Sequence, residues 1–331
     1  MQRESEKKWY IDCSTPKFFS LDVTGACNFK CLHCFNNSGE KMEDELTDEE
    51  IIDIAHQIAE FKPEVVCLCG GETMMRGNIV DIVKILVPHV TAVNMVSNGS
   101  LFNEEKLIKL KEAGLSTLQI SLDGVNEMQH DTFRGVIGSF NKAVESIKLA
   151  QKVEFNTLLS FVPNKLNHAT FDEYVDFCLG LGVSSVRIMP LIPMGRGSKI
   201  DSLLLSPEDY CNLQLKILNY QEKLRGTKQQ VEWGDPLDHY MRLPKNTKNG
   251  YKSLTYEIKP NGNITVSTYL PIVVGNVRKH SLREYWDNGY ADIWSNKQVL
   301  DYISRIENLY DINTMEPKPY SGDYYYIELM K

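Results

Sequence analysis

The sequence predicts an α/β fold built on a parallel sheet. Between residues 17 and 190, six short apolar runs alternate with helical patterns, and each run except the last is followed directly by a helix. Strict alternation of this kind favours parallel strands with helices packed outside them. Most of the runs are almost continuously apolar, as expected for strands covered on both faces. Six units are too few for a closed eight-stranded barrel, which leaves an open partial barrel or a doubly wound sheet.

Each predicted element has a local reason. A helix begins at the acidic triplet Asp48–Glu50, because negative side chains stabilise the first turn, and apolar residues follow it at helical spacing. Another helix ends at Gly114, a common C-terminal cap, and two strands stop at Pro163 and Pro190. In chain order we expect strands at 17–24, 65–69, 92–97, 117–122, 155–162 and 184–189, and helices at 48–59, 78–88, 104–113, 140–151, 170–180 and 206–223.

The alternation ends near residue 200. The stretch 224–252 is polar and irregular, and beyond it Asn261–Gly262 separates two alternating runs, which is the strongest short signal for a β-hairpin. Two further helices are expected, one around Leu282–Trp286 and one at 296–306. The predicted organisation is an N-terminal segment (1–16), a parallel-sheet domain (17–200), a bridging helix and linker (201–250) and a small α+β unit (251–331).

Composition and charge exclude several classes of protein. Hydrophobic residues make up 42% of the chain and charged residues 24%, which is typical of a globular protein and not of a disordered, collagen-like or coiled-coil one. The net charge of −8 argues against nucleic acid as the main partner. No apolar run is long enough to span a membrane, and the first residues lack the apolar stretch of a signal peptide. We therefore expect no membrane association and a cytoplasmic location.

Cysteines are concentrated near the start of the chain. Five of the eight lie between residues 27 and 69, and none follows Cys211. Clustered cysteines in a cytoplasmic chain indicate metal binding. Cys27, Cys31 and Cys34 follow the first strand at the spacing Cys-x3-Cys-x2-Cys, and the loops after parallel strands are where active sites form. Three thiolates can hold three corners of an iron–sulfur cube, whereas zinc with His33 or a distant fourth ligand is the alternative on spacing alone.

The cysteine triplet resembles the signature of the radical S-adenosylmethionine (SAM) superfamily, and further motifs of that family follow successive predicted strands. One departure is Thr73, which stands where the family usually has proline after its Gly-Gly-Glu motif. The other matching segments are Gly70-Gly71-Glu72, Ser97-Asn98-Gly99, Ser121-Leu122-Asp123-Gly124, the His130–Phe140 stretch with Asp131, Arg134 and Gly135, Ile188-Met189-Pro190 and Pro193-Met194-Gly195-Arg196.

The resemblance implies a fold, two cofactors and a reaction. The fold is a partial (β/α)6 TIM-like barrel with a small C-terminal α+β extension, and one 4Fe–4S cluster is held by Cys27, Cys31 and Cys34. SAM binds the open iron and is cleaved reductively to a 5′-deoxyadenosyl radical, which abstracts a hydrogen atom from substrate. A low-potential donor of the flavodoxin or ferredoxin type supplies the electron. The residues expected to contact SAM are His33, Gly70, Gly71, Glu72, Ser97, Asn98, Ser121, Asp123, Arg134 and Met189.

The unit 251–331 resembles the SPASM or twitch extension of peptide-modifying radical SAM enzymes. The resemblance rests on Ile258, Asn261–Ile264, Pro271, Gly275–Asn276 and Ser281–Trp286. Such extensions carry auxiliary clusters on cysteines, but this unit has no cysteine, and Ser267 stands about where one ligand would fall. Auxiliary clusters are therefore expected to be absent, which favours a redox-neutral outcome for the substrate.

The substrate is the least determined part of the prediction. The main hypothesis is a ribosomally synthesised peptide, with a separate leader-peptide-binding protein as a possible partner. The alternative is a small molecule such as a sugar, a nucleoside or a cofactor precursor, and a remote alternative is a non-catalytic iron–sulfur or zinc protein. Cys67 and Cys69 share one face of the second strand. Cys69 is a candidate hydrogen donor to a substrate radical, although a buried structural cysteine is the commoner case.

Overall fold

A computed structural model describes residues 14–234, 244–245, 252–308, 310–317 and 324–330. Within those residues, eleven strands form one sheet in the order β11-β10-β9-β8-β1-β2-β3-β4-β5-β6-β7. The strands are β1 (Phe18–Asp22), β2 (Val65–Cys69), β3 (Ala92–Ser97), β4 (Thr117–Ser121), β5 (Asn156–Phe161), β6 (Ser185–Ile188), β7 (Gln230–Trp233), β8 (Thr255–Ile258), β9 (Asn263–Thr265), β10 (Ile272–Asn276) and β11 (Tyr325–Tyr326).

The described residues include nine α-helices. The helices are α1 (Asp48–Phe61), α2 (Ile79–Leu86), α3 (Glu104–Glu112), α4 (Glu127–Arg134), α5 (Ser139–Lys152), α6 (Phe171–Gly180), α7 (Pro207–Lys223), α8 (Leu282–Asp287) and α9 (Lys297–Ile303). The prediction of acidic residues opening α1 is confirmed, and Thr47 adds a capping box in which its side chain accepts from the Glu50 N–H while Glu50 accepts from the Thr47 N–H. None of the described helices is long and apolar enough to cross a membrane.

The sheet is an open partial barrel. Strands β1 to β7 are parallel and follow one another in chain order without reversal. A doubly wound sheet would reverse its strand order at a switch point, so the partial barrel is confirmed as the correct alternative. The six predicted strands are present with ends shifted by at most a few residues. The seventh was missed, because β7 lies in the stretch that the sequence pattern marked as an irregular linker.

The two faces of the parallel strands differ. Phe19, Leu21, Val66 and Leu68 point toward the helices and are fully buried in the hydrophobic core. The alternate positions face the inside of the partial barrel and are mostly polar or only half-buried. Burial on both faces, which the apolar runs predicted, is therefore complete only on the helix side.

The C-terminal strands extend the barrel sheet and are not a separate layer. Strand β8 pairs with β1 in parallel, and β9 and β10 then add antiparallel strands. The predicted Asn261–Gly262 hairpin is confirmed, with Gly262 at φ +81°, where a side chain would be strained. Phe19 and Tyr256 stack with ring centroids 5.1 Å apart. At the C-terminal edge of the sheet, β11 pairs with β10 in parallel, while residues 318–323 lie outside the described residues.

Candidate active site at the carboxyl ends of the strands

The three cysteines of the triplet lie in the long loop between β1 and α1, at the carboxyl end of the sheet. The loop is held near its start by the Cys27 N–H, which donates to the Gly39 carbonyl at 2.7 Å. Cys31 is buried, and Cys27 and Cys34 are half-buried. The predicted position of the triplet, directly after the first strand, therefore agrees with the fold. Cys13 lies outside the described residues.

The environment of Cys27 and Cys31 disfavours the thiolate form unless a cation binds them. Burial raises the pKa of Cys27 to about 11, with the neighbouring thiols Cys31 and Cys34 and the carboxyl of Glu72 acting in the same direction. Burial also raises the pKa of Cys31, although the Arg134 guanidinium lies 3.8 Å from its sulfur and opposes the shift. Metal coordination deprotonates thiols outright. A positively charged metal centre would therefore supply the compensation that the protein side chains give only at Cys31.

The donor set fits an iron–sulfur cluster better than zinc. Among the described residues, no three His, Cys, Asp or Glu side chains converge as a single metal ion requires. Zinc needs its thiolates about 2.3 Å from one common centre and usually four protein ligands. In a cluster each thiolate binds a different iron, so the ligands surround a larger body. Three cysteines in one loop with no close common centre fit that arrangement.

The segment after β6 fixes the cysteine loop from the opposite side. Arg196 donates from Nε to the Cys31 carbonyl at 2.8 Å and from its backbone N–H to the Cys34 carbonyl at 3.0 Å. Its Nη1 donates to the Ser38 carbonyl at 2.7 Å. Gly195, at φ +53°, approaches the loop so closely that an added Cβ would lie 2.7 Å from the Cys34 carbonyl oxygen. The Pro-Met-Gly-Arg motif was noted in the sequence without a role, and the structure gives it one as a clamp.

The Gly-Gly turn after β2 packs against the start of the same loop. The Gly71 N–H donates to the Thr24 carbonyl at 2.7 Å, and the Glu72 N–H donates to the Ala26 carbonyl at 2.8 Å. Gly70 adopts φ +127°, and a Cβ on Gly71 would lie 2.7 Å from the Gly25 carbonyl oxygen. The glycines are required here for the contact between two backbone segments. A contact of these glycines with SAM stays a prediction.

Glu72 joins the ends of β2 and β3. Its carboxylate accepts from the Ser97 hydroxyl at 2.7 Å, from the Asn98 N–H at 2.7 Å and from the Met74 N–H at 3.1 Å. Burial raises the pKa of Glu72, and these three bonds oppose that rise. The Ser97 hydroxyl, which was predicted to meet SAM, is thereby occupied by Glu72 and by the Gly99 N–H at 3.0 Å.

Asn98 connects β3 to the cysteine loop. The Asn98 side-chain nitrogen donates to the side-chain oxygen of Asn28 at 2.9 Å, and the Asn98 side-chain oxygen accepts from the Ser100 hydroxyl at 2.6 Å. Asn28 in turn donates to Ser100 at 2.8 Å. Asn28 lies between the first two cysteines, so this ring of bonds fixes the loop relative to the third strand. Sequence reasoning missed Asn28, because the sequence around a single asparagine does not reveal that it contacts Asn98 and Ser100.

Asp123 and Arg134 form a buried ion pair next to the cysteine loop. The guanidinium donates from Nε and approaches with Nη2, both 2.6 Å from Asp123 Oδ2. Burial alone would raise the pKa of Asp123, but the Arg134 charge and the Val162 N–H hold it below its ordinary value. Arg134 was predicted to contact SAM, and in this structure two of its nitrogens face Asp123 and a third faces Cys31. A contact with SAM stays a prediction.

Two histidines near the Asp123–Arg134 pair each have one ring nitrogen without a hydrogen-bond partner among the described residues. His130 Nδ1 accepts from the Asp123 N–H at 3.0 Å, which places the proton of the neutral ring on Nε2. His130 Nε2 and His33 Nδ1 are buried and have no partner among the described residues. Burial lowers the pKa of His130 to about 4 and that of His33 to about 3. His33 stacks on Phe133 with ring centroids 4.0 Å apart, and both rings are neutral near pH 7.

The two remaining predicted SAM contacts lie at the carboxyl ends of β4 and β6, with β5 between these strands. Ser121 ends β4 and is buried, with its hydroxyl 3.4 Å from that of Ser160 on β5. Met189 follows β6 directly, is half-buried, and donates its N–H to the Phe161 carbonyl at 2.9 Å. Both residues are at the carboxyl end of the sheet, as predicted.

A second polar group lies on the inner face below the strand ends, and we call it the inner-face cluster: Asp22, Cys67, Cys69, Glu257 and Lys259. Lys259 Nζ is 3.0 Å from Asp22 Oδ2 in a buried ion pair. Burial raises the pKa of Glu257 to about 7, partly offset by Lys259. Cys67 and Cys69 lie with their sulfurs 3.2 Å apart. Sequence reasoning found the two cysteines but missed the three charged residues. The sequence did contain a signal for two of them: Glu257 and Lys259 are charged residues that alternate with the apolar residues at the end of β8.

With this geometry in place, comparison with known proteins decides the family. Residues 21–178 match the family model described as the Radical SAM superfamily. The chain belongs to the radical SAM superfamily. It is accordingly a radical SAM enzyme, and the matched segment runs from β1 to α6, which contains the triplet, the Gly-Gly turn and the Asp123–Arg134 pair.

Relatives of this radical SAM enzyme include a heme synthase and a maturation protein. It is 27% identical over 297 residues to an AdoMet-dependent heme synthase of Methanosarcina barkeri, where AdoMet is SAM, and the match covers 83% of each chain. It is 26% identical to the sporulation killing factor maturation protein SkfB of Bacillus subtilis, over 92% of this chain and 71% of SkfB.

Among solved structures, SuiB of Streptococcus suis bound to S-adenosylmethionine superposes with a TM-score of 0.71 at 16% identity, over 96% of this chain and 77% of SuiB. At that identity the likeness concerns the fold. It supports the partial barrel and the antiparallel C-terminal extension together, because nearly all of this chain is covered.

Proposed function

We propose that this radical SAM enzyme binds one 4Fe–4S cluster through Cys27, Cys31 and Cys34, and that its substrate is a small molecule. When bound, the cluster and SAM supply a 5′-deoxyadenosyl radical that abstracts a hydrogen atom. The observation that carries the cofactor proposal is the clamped cysteine loop. Burial raises the pKa values of Cys27 and Cys31 in this loop, and Arg196 and the Gly-Gly turn fix its backbone.

The choice of a small molecule reverses the order of our sequence-based hypotheses. The main hypothesis was a ribosomally synthesised peptide, and the alternative was a small molecule. Three AdoMet-dependent heme synthases match 82–83% of this chain, and one of them is matched over 83% of its own length. These names support the alternative better than the main hypothesis. A tetrapyrrole-type cofactor precursor is therefore the first substrate class to test.

A peptide substrate remains the second candidate for one specific reason. SkfB, a maturation protein, is matched over 92% of this chain, and SuiB bound to its precursor peptide has a TM-score of 0.70 with it. Both extend the likeness through the C-terminal strands. A separate leader-peptide-binding partner belongs to this second candidate, while a flavodoxin- or ferredoxin-type electron donor is proposed for either.

The substrate class can be tested by substrate-dependent cleavage of SAM. Anaerobically reconstituted enzyme is reduced and incubated with SAM and either an iron porphyrin bearing carboxylate side chains or a synthetic precursor-type peptide. We expect the porphyrin to increase 5′-deoxyadenosine formation and to change mass itself. Enhancement by the peptide alone, with an altered peptide mass, would instead favour the second candidate. The Cys27→Ala/Cys31→Ala/Cys34→Ala variant gives the background in both arms.

We further propose Cys69 as the hydrogen donor if the substrate radical is quenched without net oxidation. It lies on the inner face of β2 and directly precedes Gly70. The hydrogen bond with Cys67 and burial both raise the pKa of Cys69 well above its ordinary value, so it keeps its S–H at neutral pH. Transfer of that hydrogen atom forms a C–H bond on the substrate and leaves a sulfur radical on Cys69.

Turnover in deuterated water tests this assignment. The thiol exchanges its hydrogen with solvent, so we expect product with one deuterium on carbon. Cys69→Ala should remove that deuterium, whereas Cys178→Ala, which alters a cysteine buried in α6, should retain it. Product that has lost two hydrogens and gained no deuterium would show an oxidation and would exclude the donor role.

A further inference from the structure

Cys67 and Cys69 form a thiol pair on the inner face of β2. Their sulfurs are 3.2 Å apart, close enough for one thiol to donate to the other. Both residues are half-buried, whereas Leu68 between them is fully buried on the helix side. Of the other described cysteines outside the triplet, Cys178 is in α6 and Cys211 is in α7. This pair is the only place among the described residues where two cysteine sulfurs are recorded in contact.

The register of the sheet surrounds the pair with polar groups. Ser20 on β1 pairs with Cys67 on one side and with Glu257 on the other, and Asp22 pairs with Cys69. On the far side, Asn94 of β3 pairs with Cys67. The Asn94 side-chain oxygen is buried and has no partner among the described residues. The thiols therefore lie among polar groups on the inner face of the sheet and not within the hydrophobic core, where purely structural cysteines are found.

We propose that Cys67 and Cys69 are a redox-active pair that interconverts between two thiols and an intramolecular disulfide, and that the disulfide form switches off hydrogen donation by Cys69. The switch rests on the proposed donor role, but the redox pair itself does not. Oxidation is a thiol–disulfide exchange with a small disulfide R–S–S–R. Both protein sulfurs are oxidised as they join, the two R–S sulfurs are reduced, and the two thiol protons leave on two R–SH molecules.

The strand geometry allows this bond but makes it easy to reduce. Residues two apart on a strand have Cα atoms about 6.6 Å apart, at a rise of about 3.3 Å per residue. Disulfides accept Cα separations of roughly 4.4–6.8 Å, so the pair lies near the upper limit. The sulfurs must close from 3.2 Å to about 2.05 Å. Strained and accessible disulfides are the labile ones, which suits a reversible pair.

The redox pair can be tested without measuring activity. Trypsin cleaves after Lys41 and Arg76 and not at Lys62, which precedes Pro63, so the peptide 42–76 contains Cys67 and Cys69 and no other cysteine. Holoenzyme is treated anaerobically with oxidised glutathione, alkylated, digested and weighed. We expect peptide 42–76 to be lighter by two hydrogen atoms and to take no alkyl group. Prior reduction with dithiothreitol should restore two alkylated sites.

Matched variants define the result. Cys67→Ser and Cys69→Ser should each prevent the mass loss, and Cys178→Ser should preserve it. The exposed Cys211 reports that the oxidant reacted, and the visible absorbance of the cluster reports that the cluster survived. The proposal is overturned if peptide 42–76 still takes two alkyl groups when Cys211 is fully modified.

A turnover experiment distinguishes the two proposals, the redox pair of Cys67 and Cys69 and the hydrogen-donor role of Cys69. Oxidised glutathione should slow deuterium transfer in the wild-type enzyme, and dithiothreitol should restore it. In Cys67→Ser, the rates with and without oxidant should differ by less than in wild type. A disulfide that forms while Cys69→Ala still transfers deuterium would preserve the redox pair and refute the donor role. Deuterium transfer that depends on Cys69 while no disulfide forms would refute the redox pair.

Discussion

Two polar regions of the barrel lie close together and are built differently. The strand-end layer comprises the cysteine loop, the Gly-Gly turn, Glu72, Asn98 and the Asp123–Arg134 pair. Most of its polar atoms bind other protein atoms, as when Glu72 accepts from three donors. The inner-face cluster instead contains two thiols in contact and a glutamate with a pKa of about 7. The first region fixes the cysteine loop, whereas the second contains a carboxyl group that titrates near neutral pH and the thiol pair that we propose to be redox-active.

The two regions also differ in how the chain assembles them. The strand-end layer comes from short motifs that follow successive parallel strands, so its residues converge wherever the strands do. The inner-face cluster depends on the pairing of β8 with β1, which brings Lys259 to Asp22 across 237 positions of sequence. Variants in the first region should therefore act on stability and cofactor binding, and variants in the second on pH and redox behaviour.

The largest effect is expected from Arg134→Ala. Removing one partner of a buried ion pair costs about 3–5 kcal/mol, because the remaining charge, here Asp123, is left buried. If Arg134 also contacts SAM, loss of a charge-assisted hydrogen bond worth about 1.5–3 kcal/mol raises the SAM dissociation constant about tenfold or more. Denaturant unfolding and SAM titration measure the two effects.

The matched control for Arg134→Ala is the double variant Arg134→Ala/Asp123→Ala. It removes the unpaired charge and should recover part of the lost stability, while SAM binding stays weak. A double variant that is less stable than the single one would show that the ion pair is not the source of the loss. Unchanged SAM binding in Arg134→Ala would refute the SAM contact.

Gly71→Ala should have the next largest effect. An added Cβ would lie 2.7 Å from the Gly25 carbonyl and closer still to that of Ala26, and both neighbours are backbone atoms that cannot rotate away. Overpacking costs about 1–3 kcal/mol, and we expect the upper end together with reduced iron incorporation. Gly77→Ala is the control, because nothing lies within 4 Å of a Cβ there. Equal iron content in the two variants would contradict the close-approach role of Gly71.

The remaining effect is expected from Glu257→Gln, which changes how stability depends on pH. Glu257 has a folded pKa of about 7 against an ordinary value of 4.5, so the folded state binds the proton more tightly. Its stabilising contribution is present below about pH 4.5 and is lost as pH rises through 7. At 1.36 kcal/mol per pKa unit, the loss is at most about 3 kcal/mol.

Glu257→Gln should therefore flatten the fall in unfolding free energy between about pH 4.5 and 7. Denaturant midpoints measured across that range test the expectation. The exposed residue Glu105, whose pKa is lowered by Lys109, provides a comparison, and Glu105→Gln should leave the slope in this range unchanged. Parallel profiles for wild type and Glu257→Gln would contradict the shifted pKa.

The parts of the fold that the sequence predicts are those controlled by local pattern. Alternation and end signals locate six parallel strands, and Asn261–Gly262 locates a turn that needs a positive φ. Strand β7 was missed because Gln230–Trp233 is short and half polar, and only pairing with β6 makes it a strand. The clamp by Arg196 and the Lys259–Asp22 pair were missed because each depends on which distant backbone or side chain is adjacent.

The central claim is that one 4Fe–4S cluster on Cys27, Cys31 and Cys34 allows this radical SAM enzyme to cleave SAM. The most direct measurement is iron per chain together with 5′-deoxyadenosine formation, in reduced wild-type enzyme and in the triple alanine variant. We predict about four irons per wild-type chain with 5′-deoxyadenosine produced, and neither in the variant. Eight or more irons in wild type, or a cluster that survives in the triple variant, would contradict the account.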